Sequence, residues 1–313
     1  MSQNKYNALI AINKPSGVTS HDVVDQVRTI IKQRSVGHTG TLDPLATGLI
    51  LICLGKVTKL ARFISSQEKT YCATIHLGLT SATFDAEGID ETTAQPVPEL
   101  SREEIESLLQ SFVGKSEQTV PIHSAVRVNG ERLYEKARRG EEIKPPTREI
   151  MINQIEIDKI NLPEISFTAT VSSGTYIRSL AHDIGQKIGC GAYLKELCRT
   201  KVGSIDLETA LTTEKLSELV DSDQLNSAFV PLSNALPFGS VQVTDQFSSR
   251  IAQGRPLTSG DISDLRGKFG SGEHILITSQ TGDVLAVGTA LADSNRFRDG
   301  SGVDLFKYER VLV

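Results

Sequence analysis

At 313 residues, 39% apolar and 23% charged, the chain has the composition of a folded globular protein and not of a disordered one. A formal net charge of −5 does not announce a nucleic-acid binder, so any basic surface has to be local. Four scattered cysteines (Cys53, Cys72, Cys190, Cys198) with no CxxC pair speak against a zinc site or disulfide framework and for a cytoplasmic protein, while no apolar run nears the ~20 residues that span a bilayer and the polar residues 1–6 form no signal peptide.

Residues 8–12 (ALIAI) read as a short buried strand ending at the turn Lys14-Pro15-Ser16-Gly17. Thr19 or Ser20 caps a helix in which Val23, Val24, Val27, Ile30 and Ile31 recur at helical spacing. The loop GHTGTLDPLATG follows and runs into LILICL (49–54), whose unbroken apolar run predicts a strand buried on both faces. Residues 58–65 look helical, and TYCATIHLG (70–78) alternates as a strand does. Ser101-Arg102-Glu103-Glu104 is a capping box for a helix reaching about Phe112. An Asn129-Gly130 turn signal follows, then a short basic helix ended by Gly140. Strands near 149–158 and 165–172 precede Gly174-Thr175, which opens a helix to about Ile188 with Tyr176 and Arg178 on its first turn. A second helix is expected from Ala192 to Cys198. Strands and helices do not alternate strictly, so the fold class is α+β, a mixed and largely antiparallel sheet flanked by helices. Punctuation around Pro237 puts a domain boundary near Gly239, giving domains 1–239 and 240–313, the second a small β-rich module.

Asp43 is the first candidate for chemistry. Pro44 restricts its backbone, and Gly37, Gly40 and Gly48 let the surrounding chain approach a ligand closely. A plain turn, with Asp43 bonded to nearby amides, accounts for the same residues. Glycosidases need two carboxylates, and no second acid sits beside Asp43 in sequence, which leaves a partner from elsewhere in the chain open. Gly55-Lys56-Val57-Thr58 fails the phosphate-loop spacing. What remains is a lone carboxylate acting as nucleophile or base. Arg178 offers a fork that pairs a carboxylate or phosphate, though taken alone it also fits a surface arginine. Residues 127–148 hold seven Lys/Arg against four Glu, either a solvated face or a phosphate-tracking arm. Lys195, Arg199 and Lys201 form a second basic cluster.

Together the blocks KPSGVTSHDVV (14–24), GHTGTLDPLATGLILICLG (37–55), KTYCATIHLG (69–78) with a later Asp85, HSAVRVNGERLYEKARRG (123–140) and SSGTYIRSLAHDIGQKIGCGAYLKELCRTKVG (172–203) resemble the TruB-type tRNA pseudouridine-55 synthases, in the family's order. The resemblance implies a catalytic Asp43 paired with Arg178, and Tyr71 stacked on the target base. Tyr176 and Leu197 would line the uridine pocket, and His38 would stand where the base is pulled out. Lys14 and Pro15 would buttress the site, and an insertion around 115–148 would clamp the T-arm stem-loop of tRNA. The tail would be a PUA-like RNA-binding module. His123 stands where the family usually has an aromatic residue. The implied reaction is an isomerisation that needs no cofactor and no metal, carried out by a cytoplasmic monomer with tRNA as partner and no membrane. Two other functions fit parts of the pattern: a non-catalytic tRNA-binding or tRNA-folding protein, and a carboxylate-dependent hydrolase of a sugar bond.

Overall fold

The computed structural model describes residues 5–298 and 304–313 apart from positions 125, 129 and 142. A ten-stranded sheet forms the body. Its order from one edge is Phe229–Val230, Leu9–Lys14, Thr47–Leu54, Ala192–Val202, Lys69–Leu77, Glu164–Val171, Thr147–Asn161 and Gly114–Thr119, with Val36–His38 and Ile205–Asp206 attached beside this path. Pairing is antiparallel throughout except where Ala192–Val202 meets Thr47–Leu54.

The helix expected over 192–198 is therefore a strand at the middle of the sheet. Leu194, Leu197 and Cys198 stand at the i, i+3, i+4 spacing of a helix face because a register shift between Leu194 and Glu196 breaks the strand's alternation. Pairing with strands on both sides overrides the local pattern.

Residues 9–12 and 49–54 are apolar without interruption because both of their faces are covered. Ile10, Ile12, Ile50 and Ile52 meet Val23, Val24 and Val27 of the helix Ser20–Ile31. On the other face Leu9, Ala11, Leu49 and Leu51 meet Leu60, Phe63 and Ile64. The first helix begins with a reciprocal capping box between Thr19 and Asp22. The helix Ile177–Ile188 packs Ile177, Leu180, Ala181 and Ile184 into the first core and stops at Gly189, where φ is +94°. Its N-cap is Tyr176, so only Arg178 of the expected pair lies on its first turn.

A second sheet begins at Gly239, with strand order Ile262–Arg266, Gly239–Val243, His274–Thr278, Val284–Ala290 and Phe306–Val311. It has a core of its own around Val241, Phe247, Ile277 and Phe297. Leu276, Val287 and Leu312 join the second core of the body. The seam is also polar: Arg62 pairs with Glu309, and the His274 ring sits between Phe63 and Phe238. In the expected insertion, short strands Arg127–Val128 and Glu131–Arg132 pair and lead into the helix Leu133–Arg138. Gly130 there has φ +88°, while Asn129 of the turn signal and Glu142 of the charge cluster lie outside the described residues. Among the described residues no helix is long and apolar enough to cross a membrane.

Gly48 sits at the parallel junction of the large sheet, paired with Arg199. Its φ is +100°, and a Cβ there would stand 2.4 Å from the Arg199 carbonyl oxygen. Gly48→Ala is expected to destabilise the protein by roughly 2–4 kcal/mol, through left-handed strain plus overpacking. Urea denaturation measures this, and an unchanged midpoint would contradict the packing at this junction.

Candidate active site

Asp43 lies in the loop between Val36–His38 and Thr47–Leu54, and the backbone on both sides of it is clamped. Before it, Ser20 Oγ accepts from the Leu42 N–H at 2.8 Å and donates to the Leu42 carbonyl at 3.0 Å. After it, the Pro44 carbonyl accepts from the Gly17 N–H at 2.9 Å and from Lys14 Nζ at 3.2 Å. Lys14 is fully buried and also donates to the carbonyls of Pro15 and Val18, both at 2.8 Å. Burial lowers its pKa to about 8. Arg199 holds the start of the loop, donating to the carbonyls of Gly40 at 3.1 Å and Leu49 at 2.7 Å.

The Asp43 carboxylate meets Arg178. Arg178 Nη2 donates to Oδ1 at 3.1 Å, and Nε lies 2.9 Å from Oδ2, off the line of its N–H. The arginine side chain is 4% exposed and Asp43's is 31%, so the cation is sealed and the carboxylate keeps an opening. Arg178 has a second counter-ion in Asp85, whose Oδ2 is 3.4 Å from Nη1 and whose side chain is also 4% exposed. Carbonyls of Thr83 and His123 accept from Nη1 at 3.1 Å and Nη2 at 3.2 Å. Asp85 is in turn held by the Thr83 hydroxyl and the Glu87 N–H. Between Thr83 and Asp85, Phe84 takes a left-handed backbone at φ +64° and stacks its ring on His182, with centroids 4.1 Å apart.

Burial raises the pKa of Asp43 above its ordinary value, Arg178 opposes the rise and Asp85 adds to it. The carboxylate is thus basic for an aspartate yet kept beside a cation. His38 is shifted the other way, downward, by burial and then by the charge of Arg199. Its Nδ1 accepts from the Gly40 N–H at 3.3 Å, so the neutral ring carries its proton on Nε2.

One cleft of about 940 Å³ is lined by His38, Asp43, Tyr71, Tyr176, Arg178 and Leu197, which brings all the expected site residues together. Tyr71 and Leu197 come from adjacent strands and project from the same face. Tyr176 is fixed through its backbone, its N–H donating to Gln118 Oε1 at 2.8 Å and its carbonyl accepting from Gln118 Nε2 at 3.0 Å. Arg148 covers its ring. Arg132, Tyr134 and Arg138 of the insertion close the far wall. Among the described residues no three His, Cys, Asp or Glu side chains gather as metal ligands would.

Two basic clusters need correcting. Lys195 pairs with Glu164 and Lys201 with Asp206, while Arg199 is buried against carbonyls, so these three form no basic surface. In the arm, Lys136 and Arg139 pair with Glu131, which leaves Arg132 and Arg138 facing the cleft. Sequence spacing missed Ser20 as the Leu42 clamp and Asp85 as the second counter-ion. The Asp85 carboxylate is the second acid absent beside Asp43 in sequence, but it is occupied by Arg178, Thr83 and Glu87.

Residues 28–177 match the N-terminal domain of the TruB family pseudouridylate synthases, and residues 178–237 match the tRNA pseudouridylate synthase B C-terminal domain. The chain belongs to the TruB family. It is 41% identical over 249 residues to the tRNA pseudouridine synthase B of Clostridium kluyveri, covering 79% of this chain and 84% of that one. With the tRNA pseudouridine synthase B of Geobacter sulfurreducens it shares 37% over 287 residues, 91% and 94% of the two chains. In structure it is similar to a chain of a Cbf5-Nop10-Gar1 complex, with 26% identity, a TM-score of 0.78 and coverage of 98% of this chain and 85% of that one.

The charge balance around Arg178 sets two stability outcomes. Arg178→Met leaves Asp43 and Asp85 facing each other without a cation and is expected to cost about 3–5 kcal/mol. Asp43→Asn removes a carboxylate whose folded pKa is raised. Such a group favours the folded state below its unfolded pKa, and that advantage is lost as pH rises through the folded pKa. At neutral pH Asp43→Asn is therefore expected to melt no lower than wild type. Thermal melts of both variants check the pair, and a large drop for Asp43→Asn would contradict it.

Proposed function

We propose that this chain converts uridine 55 in the T-loop of tRNA to pseudouridine, with Asp43 as the reacting carboxylate. The observation that carries the proposal is a carboxylate 2.9 Å from a sealed arginine, in a cleft that also presents Tyr71, Tyr176 and Leu197. Membership of the TruB family and relatives named tRNA pseudouridine synthase B support the substrate and the reaction.

The reaction breaks the bond from C1′ to N1, turns the base and joins C1′ to C5. N1 gains a proton and C5 loses one, so atoms and electrons balance without an oxidant. Asp43 attacks C1′ or C6, or removes the proton at C2′. Each route needs an ionised carboxylate shielded from water, which the Arg178 pair and the clamped loop favour. A base stacked in the folded T-loop has to be everted first, at a cost of a few kcal/mol. Tyr71 offers the everted uracil a stacking face, and Leu197 and Tyr176 complete its pocket. Neutral His38, at the cleft wall, fills the place the base leaves. Arg132, Tyr134 and Arg138 grip the T-arm from the insertion, and the tail from Gly239 adds a PUA-like RNA contact. The enzyme acts as a monomer in the cytoplasm.

Incubation with an unmodified tRNA transcript, without added cofactor, is expected to place pseudouridine at the T-loop uridine. Release of free uracil would favour the hydrolase instead. Asp43→Asn is expected to bind the transcript yet lose turnover by about 10⁴-fold or more. The wild-type rate should fall as acid protonates Asp43, with a midpoint above the ordinary 3.8. A flat rate through that range, or an active Asp43→Asn, would remove Asp43 from the chemistry.

A further inference from the structure

The cleft wall beside Asp43 carries two cations that the chemistry above does not use. Lys69 lies two residues before Tyr71 on the strand Lys69–Leu77, and Arg199 pairs directly opposite Tyr71 on the neighbouring strand. Lys69 is 7% exposed and Arg199 1%, and both line the cleft. Their partners are carbonyls only. Arg199 donates to Leu49, Gly40 and Thr41, and Lys69 donates to Ser65 and Gln67. Arg178, by contrast, has two carboxylates within ion-pair distance. Among the described residues neither Lys69 nor Arg199 has one. Four buried cations, Lys14, Lys69, Arg178 and Arg199, thus line or underlie this cleft, and of the three that line it only Arg178 has a carboxylate partner among the described residues.

A buried charge without a counter-charge is unfavourable, and a ligand that supplies one is bound the more tightly for it. Burial and then the charge of Arg199 lower the Lys69 pKa to about 8, which leaves the ammonium largely protonated at neutral pH. Gly40 gives the geometry. A Cβ on Gly40 would lie 3.5 Å from Arg199 Nη1 and 3.9 Å from Lys69 Cε, in ordinary contact with both. The missing methyl group therefore leaves a small space bordered by the two cations.

We propose that Lys69 and Arg199, with Gly40 between them, seat a backbone phosphate of the RNA next to the everted uridine. The ligand class is a phosphodiester: one negative charge and acceptor oxygens, matched by the third ammonium proton of Lys69 and the unused guanidinium N–H groups of Arg199. The proposal rests on the function proposed above. It adds that the target nucleotide is held by its phosphate as well as by its base.

The test uses the full chain and T-arm stem-loop RNAs carrying one uncharged methylphosphonate linkage, either 5′ or 3′ of the target uridine. Each is compared with a phosphate control bearing the same 2′-O-methyl sugar before the linkage. Wild type is expected to bind one of the two neutral RNAs about 10-fold or more weakly than its control. Lys69→Met and Gly40→Ala should bind the control RNAs more weakly by a similar factor and show no further loss with the neutral linkage. Gly40→Ala meets no protein atom closer than 3.5 Å, so it serves if Lys69→Met fails to fold by its thermal melt. Lys69→Arg, which keeps the charge, should keep the wild-type sensitivity. Equal penalties in wild type and in the folded variants, or a wild type indifferent to both linkages, would overturn the proposal. A wild type that neither binds nor modifies the all-phosphate RNA would instead count against the function on which it rests.

Discussion

The structure is organised around one difficulty: a carboxylate has to stay charged where burial disfavours charge. Arg178 resolves it for Asp43, but a single buried ion pair rarely repays the desolvation of both partners. Here the arginine is shared between Asp43 and Asp85 and further satisfied by the carbonyls of Thr83 and His123. Asp43 alone keeps an opening to the cleft. The cation is enclosed by its acceptors while the anion keeps an open side.

Holding that pair in place falls to contacts made on the backbone of the Asp43 loop. Val36–His38 and Thr47–Leu54, paired with each other, give the loop around Asp43 two fixed ends. Ser20, Gly17 and Lys14 then fix the residues immediately before and after it through their peptide groups. The buried Lys14 and Arg199 near the loop bind carbonyl oxygens and so add positive potential without spending it on acids. The sheet supplies the opposite wall, since Tyr71 and Leu197 share a face across one ladder.

The cleft end of the molecule was legible because its lining residues are concentrated in short, unusual blocks. Asp43 in its glycine-rich loop and Arg178 after Gly174-Thr175 could be singled out, and the family resemblance joined them. Strands with clean alternation or an unbroken apolar run, such as 70–78 and 49–54, were equally plain. The segment from Ala192 was not. A bulge shifts its apolar residues into a helical rhythm, and only neighbours distant in sequence turn it into a strand. Arg199 misled for a related reason: an arginine reads as surface until the carbonyls that bury it are in view. Asp85 and Ser20 act through partners tens of residues away, which local spacing does not encode.

The left-handed turn at Phe84 bears on how this geometry survives motion. Phe84 directs both Thr83 and Asp85 toward Arg178, and its ring rests on His182, one helical turn beyond that arginine. The cation and the aromatic anchor of its counter-ion loop therefore ride on the same helix. A displacement of that helix would carry the guanidinium and its buried counter-ion together.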